Sequence, residues 1–259
     1  MKHISQIYKT DAKKIKYILH DIDDTITTNG KLTKNAYSAL WDLHDAGYKV
    51  IPVTGRPAGW CDMIIRQWPV DAVVSENGAF VYYFENNKLK TFKHPLATDD
   101  AADKLNEIKK AVLKEIPDAR ISKDQFARIY DLAIDFNEDP PYLGFEVADK
   151  IKKICESFGA IAKVSSIHVN TWFGDYNKLD MTKLFFKNIL HEDDFNEKCI
   201  FFGDSPNDAP MLEFFKNSCA VANIKPFLGD LKQLPAYITQ NSGGEGFYEG
   251  VNTILKLSR

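Results

Sequence analysis

Asp21-Ile22-Asp23 sets two carboxylates one residue apart, directly after the run Ile15-Lys16-Tyr17-Ile18-Leu19-His20. That run reads as a buried strand, so both acids fall at its C-terminal end, although Asp is depleted in strands. At ~4 Å and an effective dielectric of ~20, each such like-charge pair costs on the order of 4 kcal/mol. A divalent cation or a shared proton must then belong to the folded site. The plainer reading of the same residues is an Asx-type turn that leaves the strand for a helix.

Three more positions carry the same kind of chemistry. They are Thr54, Lys178 and the acid pair in Gly203-Asp204-Ser205-Pro206-Asn207-Asp208. Singly, each has an ordinary explanation: a turn, a surface lysine, a loop of ideal turn composition. Jointly they provide what phosphoryl transfer needs. Asp21 is a candidate nucleophile, Asp23 a second carboxylate for proton transfer, and Asp204 and Asp208 acidic ligands for Mg²⁺. Lys178 and Thr54 supply a cation and a hydroxyl for phosphate oxygens.

The elements that must position these residues alternate strand and helix. A helix over Lys34 to Ala46, capped by Thr33 and ended by Gly47, precedes a second buried strand, Tyr48 to Val53. A helix around Trp60 to Trp68 leads to a third strand, Ala72 to Ser75, and then to Glu76-Asn77-Gly78. The last third repeats the pattern: helix from Asp180 to Leu190, strand from Lys198 to Phe202, short helix from Ala209 to Phe215. A strand at Cys219 to Val221 and a final helix from Phe247 to Leu257 follow. This order predicts an α/β fold, a Rossmann-like parallel sheet whose strand ends gather at one edge.

The middle of the chain has another texture. Phe80 to Phe84 and Leu89 to Lys93 read as a hairpin turned at Asn86-Asn87. Arg128 to Phe136 and Ala160 to Trp172 read as strands, Ala101 to Glu115 and Phe145 to Phe158 as helices. The predicted organisation is a core of residues 1–80 and 174–259, interrupted by an α+β cap over 81–173. If that cap closes on the core, Arg128, Tyr130, Asp131, His168, Asn170 and Trp172 are candidates to touch the organic half of a substrate.

Composition bounds the rest. The net charge is −3 with acids and bases well mixed, and no basic stripe suggests nucleic acid. The four cysteines are scattered, without the spacing of a zinc or redox motif. The first residues are too charged for a signal peptide, and nothing approaches a membrane-spanning length. The expectation is a soluble cytoplasmic protein, a monomer or small homo-oligomer, with reduced thiols and a small-molecule partner.

All four motifs, in this order, resemble those of the haloacid dehalogenase superfamily. Asp21-Ile22-Asp23-Asp24-Thr25 is similar to the first motif, Thr54 to the second, Lys178 to the third, and Gly203 to Asp208 to the fourth. Thr54-Gly55-Arg56 and Glu76-Asn77-Gly78 look like the sugar-phosphatase branch, which carries its cap between the second and third motifs. The resemblance implies Mg²⁺ on the Asp21 carboxylate, the Asp23 backbone carbonyl and Asp204, with Asp208 in support. It also implies an aspartyl phosphate on Asp21 and acid–base work by Asp23. Phosphate or substrate contacts fall to Thr54, Gly55, Arg56, Asn77, Lys178 and Asn207. Relatives with this cap usually have glycine where Asp24 stands. The activity implied is a Mg²⁺-dependent phosphomonoester hydrolase acting on a small sugar phosphate. A phosphosugar mutase or a non-catalytic sugar-phosphate binding module are the alternatives.

Overall fold

The computed structural model describes residues 1–165 and 167–258. Six parallel strands form the central sheet, in the order Lys2–His3, Tyr237–Ile238, Asn217–Ala220, Cys199–Gly203, Tyr17–His20, Lys49–Pro52. The expected α/β class is the one adopted. Side chains alternate between the two faces of the sheet. Ile18, Val50, Ile200 and Phe202 pack with Leu40 of the helix Lys34–Asp45 and with Phe247 and Val251 of the helix Gly243–Ser258. Leu19, Ile51 and Phe201 pack the other way, against Met181, Phe185 and Phe186 of the helix Lys178–Asn188. Such strands, buried on both faces, read as continuous apolar runs.

Local chemistry sets where the helices begin. Thr33 caps its helix by accepting from the Ala36 N–H at 3.3 Å. Asn177 accepts from the N–H groups of Leu179 and Asp180, at 2.9 and 3.1 Å. That cap starts the helix two residues before the expected Asp180 and puts Lys178 in its first turn. The last helix opens at Gly243, earlier than the expected Phe247. Its glycines resemble a loop in composition, but a Cβ on Gly244 would stand 2.4 Å from Thr33 Oγ1. Close approach to a neighbouring element, not flexibility, requires glycine there.

The hairpin Phe80–Glu85 and Lys88–Lys93 turns at Asn86 and Asn87, with φ of 50° and 60°. It pairs antiparallel with Ala72–Ser75, whose Val74 bridges Val53 of the parallel sheet. Val81 lies in one cluster with Leu19 and Ile51, and Tyr83 and Phe92 pack on that cluster. The expected boundary at 80/81 therefore runs through the packing of this hairpin, whose Val81, Tyr83 and Phe92 lie against the core.

The rest of the insertion has its own core. Leu105, Ile108 and Val112 of the helix Ala101–Glu115 and Ile151 of the helix Phe145–Ser157 cover Leu132, Ile134 and Val169. These residues belong to an antiparallel sheet ordered Ile161–Val164, His168–Trp172, Asp131–Asp135, Arg120–Ile121. Its opposite face carries the cross-strand pairs Asp131 with Trp172 and Asp135 with His168. The strand expected from Arg128 begins only at Asp131. The N–H groups of Ile129 and Tyr130 go instead to the Glu76 carboxylate, at 2.9 and 2.6 Å.

Candidate active site

Asp21 continues the strand Tyr17–His20 and donates its N–H to Phe202 O at 2.9 Å, so it lies beside the strand that delivers Asp204. One ligand oxygen from each of Asp21, Asp204 and Asp208 falls within 4.8 Å of the others, and all three residues are buried. Lys178 Nζ stands 2.8 Å from Asp208 Oδ1 and 3.2 Å from Asp21 Oδ1. Its approach depends on Gly78 (φ +105°), where a Cβ would sit 2.3 Å from Asn177 O. Thr25 donates to Asp204 Oδ1 at 2.9 Å, and Asn223 Nδ2 to Asp204 Oδ2 at 3.3 Å.

This cluster is short of positive charge. Burial pushes the Asp21 carboxyl up to about 7, against the pull of Lys178, with Asp208 and Asp23 adding to the rise. Asp204 is raised well above its ordinary value by burial, then by Asp208 and Asp21. Burial alone would lower Lys178, but Asp208 and Asp21 outweigh it, so the lysine stays a cation. Three carboxylates against one ammonium, without sulfur or imidazole in the group, fit a hard divalent cation. His20, just before the nucleophile candidate, is neutral, its value lowered by burial to about 4. Its Nδ1 faces Asp21 O at 2.8 Å, which fixes that nitrogen as the donor.

Asp23 faces another way. Arg56 grips it with two parallel bonds, Nε to Oδ2 at 2.8 Å and Nη2 to Oδ1 at 2.6 Å. The guanidinium lies over the Trp60 ring, 4.3 Å from its centroid. Beyond Arg56 the ion pairs continue into the insertion. Arg56 Nη1 is 3.7 Å from Asp124 Oδ2, and Arg128 reaches Asp124 Oδ1 at 3.3 Å. Arg128 Nη1 bonds Asp131 Oδ1 at 2.9 Å and donates to Gly55 O at 3.0 Å. Glu76 completes this junction by accepting from the N–H groups of Ala58, Ile129 and Tyr130. Burial, then Asp131, pushes Glu76 up to about 7 against those three donors.

The structure thus brings Asp21, Lys178, Asp204 and Asp208 together and puts Asp23 with Arg56. Thr54 is fully buried, and its hydroxyl accepts from the Arg56 N–H at 3.1 Å. Asn77 packs against Gly55, where a Cβ would be 2.9 Å from Asn77 Oδ1. Both polar atoms of its side-chain amide are buried and, among the described residues, without a hydrogen-bond partner. Asn207 is half-buried on the tight turn Pro206–Asp208. Asp24 has φ +56°, a left-handed conformation in which glycine is unstrained and Asp tolerated.

Among the insertion candidates, Arg128 and Asp131 are spent on the junction. Trp172 stacks on Tyr176 and donates to its carbonyl at 3.2 Å, so it is packing between the two parts. Tyr130 hydrogen-bonds Asp99 and lies against Phe80. His168 pairs with Glu138 at 2.9 Å, and Asn170 keeps a buried Oδ1 without a partner among the described residues. Sequence reasoning missed Asp124, Glu76 as a carboxylate anchor, and Asn223. Thr25 and Glu76 stood inside motifs, where a hydroxyl next to two acids and a carboxylate at a strand end could have signalled them.

A six-stranded parallel sheet interrupted by a second module, with an acidic cluster at the strand ends, defines the class as α/β with its candidate site at the sheet edge. The chain belongs to the haloacid dehalogenase-like hydrolases, whose family profile matches residues 18–129 and 146–249. That is the family expected from the four motifs. No curated protein sequence matches it significantly. Its fold is similar to a HAD/COF-like hydrolase from Plasmodium vivax, at 19% identity and TM-score 0.72, over 96% of this chain and 100% of that one. It is also similar to the sucrose-phosphatase of Synechocystis solved with sucrose and phosphate, at 17% identity and TM-score 0.64, over 93% and 98%. A HAD subclass IIB sugar phosphatase matches at 14% identity and TM-score 0.66, over 93% and 99%. At such identities the likeness is one of fold. No described helix is long and apolar enough to cross a membrane.

Proposed function

We propose that this hydrolase is a Mg²⁺-dependent phosphomonoesterase that works through an aspartyl phosphate on Asp21, with a sugar phosphate as substrate. The observation that carries the reading is the buried Asp21 carboxylate, 3.2 Å from the Lys178 ammonium and within 4.8 Å of two further acids. An anionic nucleophile meeting an anionic phosphate needs that surplus of positive charge brought in.

Asp21, Asp204 and Asp208 would hold Mg²⁺, together with the Asp23 carbonyl that the family resemblance adds. Bound there, the ion offsets the charge of nucleophile and phosphoryl oxygens. An Asp21 oxygen forms the new bond to phosphorus while the ester P–O bond breaks. Asp23 gives its proton to the departing alkoxide, then takes one from the water that attacks the phosphoaspartate. Free phosphate and regenerated Asp21 result. Lys178 steadies the equatorial oxygens, and the Thr54 hydroxyl hydrogen-bonds one of them. The sugar class is supported by the fold shared with the sucrose-phosphatase and the sugar phosphatase, and by the inserted module that reaches Gly55 and Arg56. A core–cap reading over 1–80, 81–173 and 174–259 stays with this proposal, the hairpin packing aside.

The test is phosphate release across sugar phosphates and nucleotides, with and without Mg²⁺, for the wild type and Asp21→Asn. The wild type should turn over only with the metal and fastest on sugar phosphates. Asp21→Asn should lose on the order of 10³-fold or more while keeping its fold, because an amide cannot supply the attacking oxygen. Substantial turnover by the variant removes Asp21 from the nucleophile role.

A further inference from the structure

We infer that Asp124, on the inserted module, is a positioning residue for the proton-transfer step and acts through Arg56 on Asp23. The inference rests on the phosphomonoesterase reading and goes beyond it, by tying the acid of the core to the position of the cap.

The guanidinium of Arg56 is divided between two carboxylates. Nε and Nη2 hold Asp23, at 2.8 and 2.6 Å, and Nη1 is turned to Asp124 Oδ2 at 3.7 Å. Because the fork is rigid and planar, its tilt sets the plane of the Asp23 carboxyl. The Trp60 ring supports one face of that fork. Among the described residues the one other ion pair of Arg56 is the contact of Nη1 with Asp124, and its pull bears on that tilt.

Asp124 is itself held by the insertion. Its Oδ1 accepts from the Ser122 hydroxyl at 2.6 Å and from Arg128 Nε at 3.3 Å. Only Oδ2 is turned to the core, so the carboxylate has one edge in each part of the molecule. Arg128 adds a second tie by donating to Gly55 O, on the residue before Arg56. The Asp23 side chain keeps 38% exposure, against 12% for Arg56 and 14% for Asp124. The proton-transfer group therefore stands at the open end of a chain of ion pairs whose far end is fixed to the inserted module. Misplacing a reacting group by ~1 Å costs on the order of 10²-fold in rate, so the tilt of Asp23 is catalytically consequential.

A positioning role separates from a structural one by leaving group. An alkyl ester needs its alkoxide protonated, whereas p-nitrophenolate departs without help. The experiment measures kcat/KM in excess Mg²⁺ on an alkyl sugar phosphate and on p-nitrophenyl phosphate, because that ratio ends at the departure of the alcohol and leaves out the phosphoaspartate hydrolysis that both esters share. Variants are Asp124→Asn, Asp124→Glu, Arg56→Lys and Asp23→Asn. For Asp124→Asn, the ratio of alkyl to aryl kcat/KM should fall about tenfold, with aryl kcat/KM within about twofold of wild type. Asp23→Asn should show the same split, larger, and Asp124→Glu should recover part of the ratio. Arg56→Lys, which keeps the charge but loses the fork, carries the test if Asp124→Asn does not fold. Equal losses of kcat/KM on both esters, or no loss on either, overturn the inference and leave the phosphomonoesterase reading standing. A wild type inert on both esters overturns that reading, and this inference with it.

Discussion

Two clusters of buried charge lie side by side in this molecule, and they are balanced in opposite ways. Asp21, Asp204 and Asp208 face a single ammonium, that of Lys178. Asp23, Asp124, Asp131 and Glu76 are threaded with Arg56 and Arg128, and Glu76 takes three backbone N–H donors besides. The first holds more acid than its one ammonium offsets. The second satisfies itself and joins the two parts of the fold. Buried acid left with few donors marks where a cation can be accommodated, whereas acid met by guanidinium and backbone N–H donors marks where the protein holds itself together.

The sharpest way to break the contrast is to cut the second cluster at its middle. The Arg128 side chain is 1% exposed and that of Asp131 is fully buried. Arg128→Met fills similar space and leaves Asp124, Asp131 and Glu76 facing one another. Removing one partner of a buried pair costs about 3–5 kcal/mol. Urea unfolding should show a loss of that size, and limited proteolysis should cut first between the hairpin and the strand Asp131–Asp135. A variant as stable as the wild type would mean that backbone N–H donors alone hold the junction.

How much of this was legible in the residues differs between the same two clusters. Asp21, Asp204, Asp208 and Lys178 stand in short motifs at strand or helix ends, and strand topology alone brings such ends to one edge. The alternating strands and helices gave the sheet for the same reason. Asp124 carries no such mark, and Glu76, although it opens the motif Glu76-Asn77-Gly78 after the strand Ala72–Ser75, shows nothing of what it will hold. Their partners lie across the junction, and pairing there depends on how the insertion docks, which local periodicity does not encode. The hairpin Phe80–Lys93 was placed with the insertion because its turn is an antiparallel signal, yet its packing is with the core. Gly243 and Gly244 misled in a similar way: close packing and loop chemistry ask for the same residue.

A second test uses pH to separate the clusters. Asp21 and Glu76 both lie at about 7 in the fold, against ordinary values of 3.8 and 4.5. An acid raised on folding favours the folded state while protonated, a contribution present below its ordinary value and lost as pH rises through about 7. Metal-free protein should therefore lose stability across that range through both groups. Mg²⁺ binds the ionised cluster, so the rise in Tm it causes should be small near pH ~5 and reach a plateau above pH ~7. Glu76 titrates alike with and without the ion, and the difference between the two Tm curves isolates the unbalanced cluster. A Mg²⁺-induced shift that is the same at both ends of the range would show that the carboxylates do not take up the ion.

The smallest expected effect is at Thr25, whose buried hydroxyl donates to Asp204 Oδ1 at 2.9 Å. Thr25→Val keeps the shape and removes the donor, leaving one oxygen of an already under-compensated carboxylate without its partner. Losing such a bond costs about 1–3 kcal/mol when the group left behind is buried. Without metal the variant should be less stable by about 1 kcal/mol, because Asp204 can escape part of the cost by taking up a proton. In excess Mg²⁺ the released oxygen has a new partner, so most of that difference should vanish while the Mg²⁺ affinity falls about tenfold through the lost orientation of the ligand. Thermal unfolding with and without Mg²⁺, together with a Mg²⁺ titration of activity, reads all three quantities. A loss of stability unchanged by the ion would mean that Thr25 serves packing alone and that Asp204 does not change partners when the ion arrives.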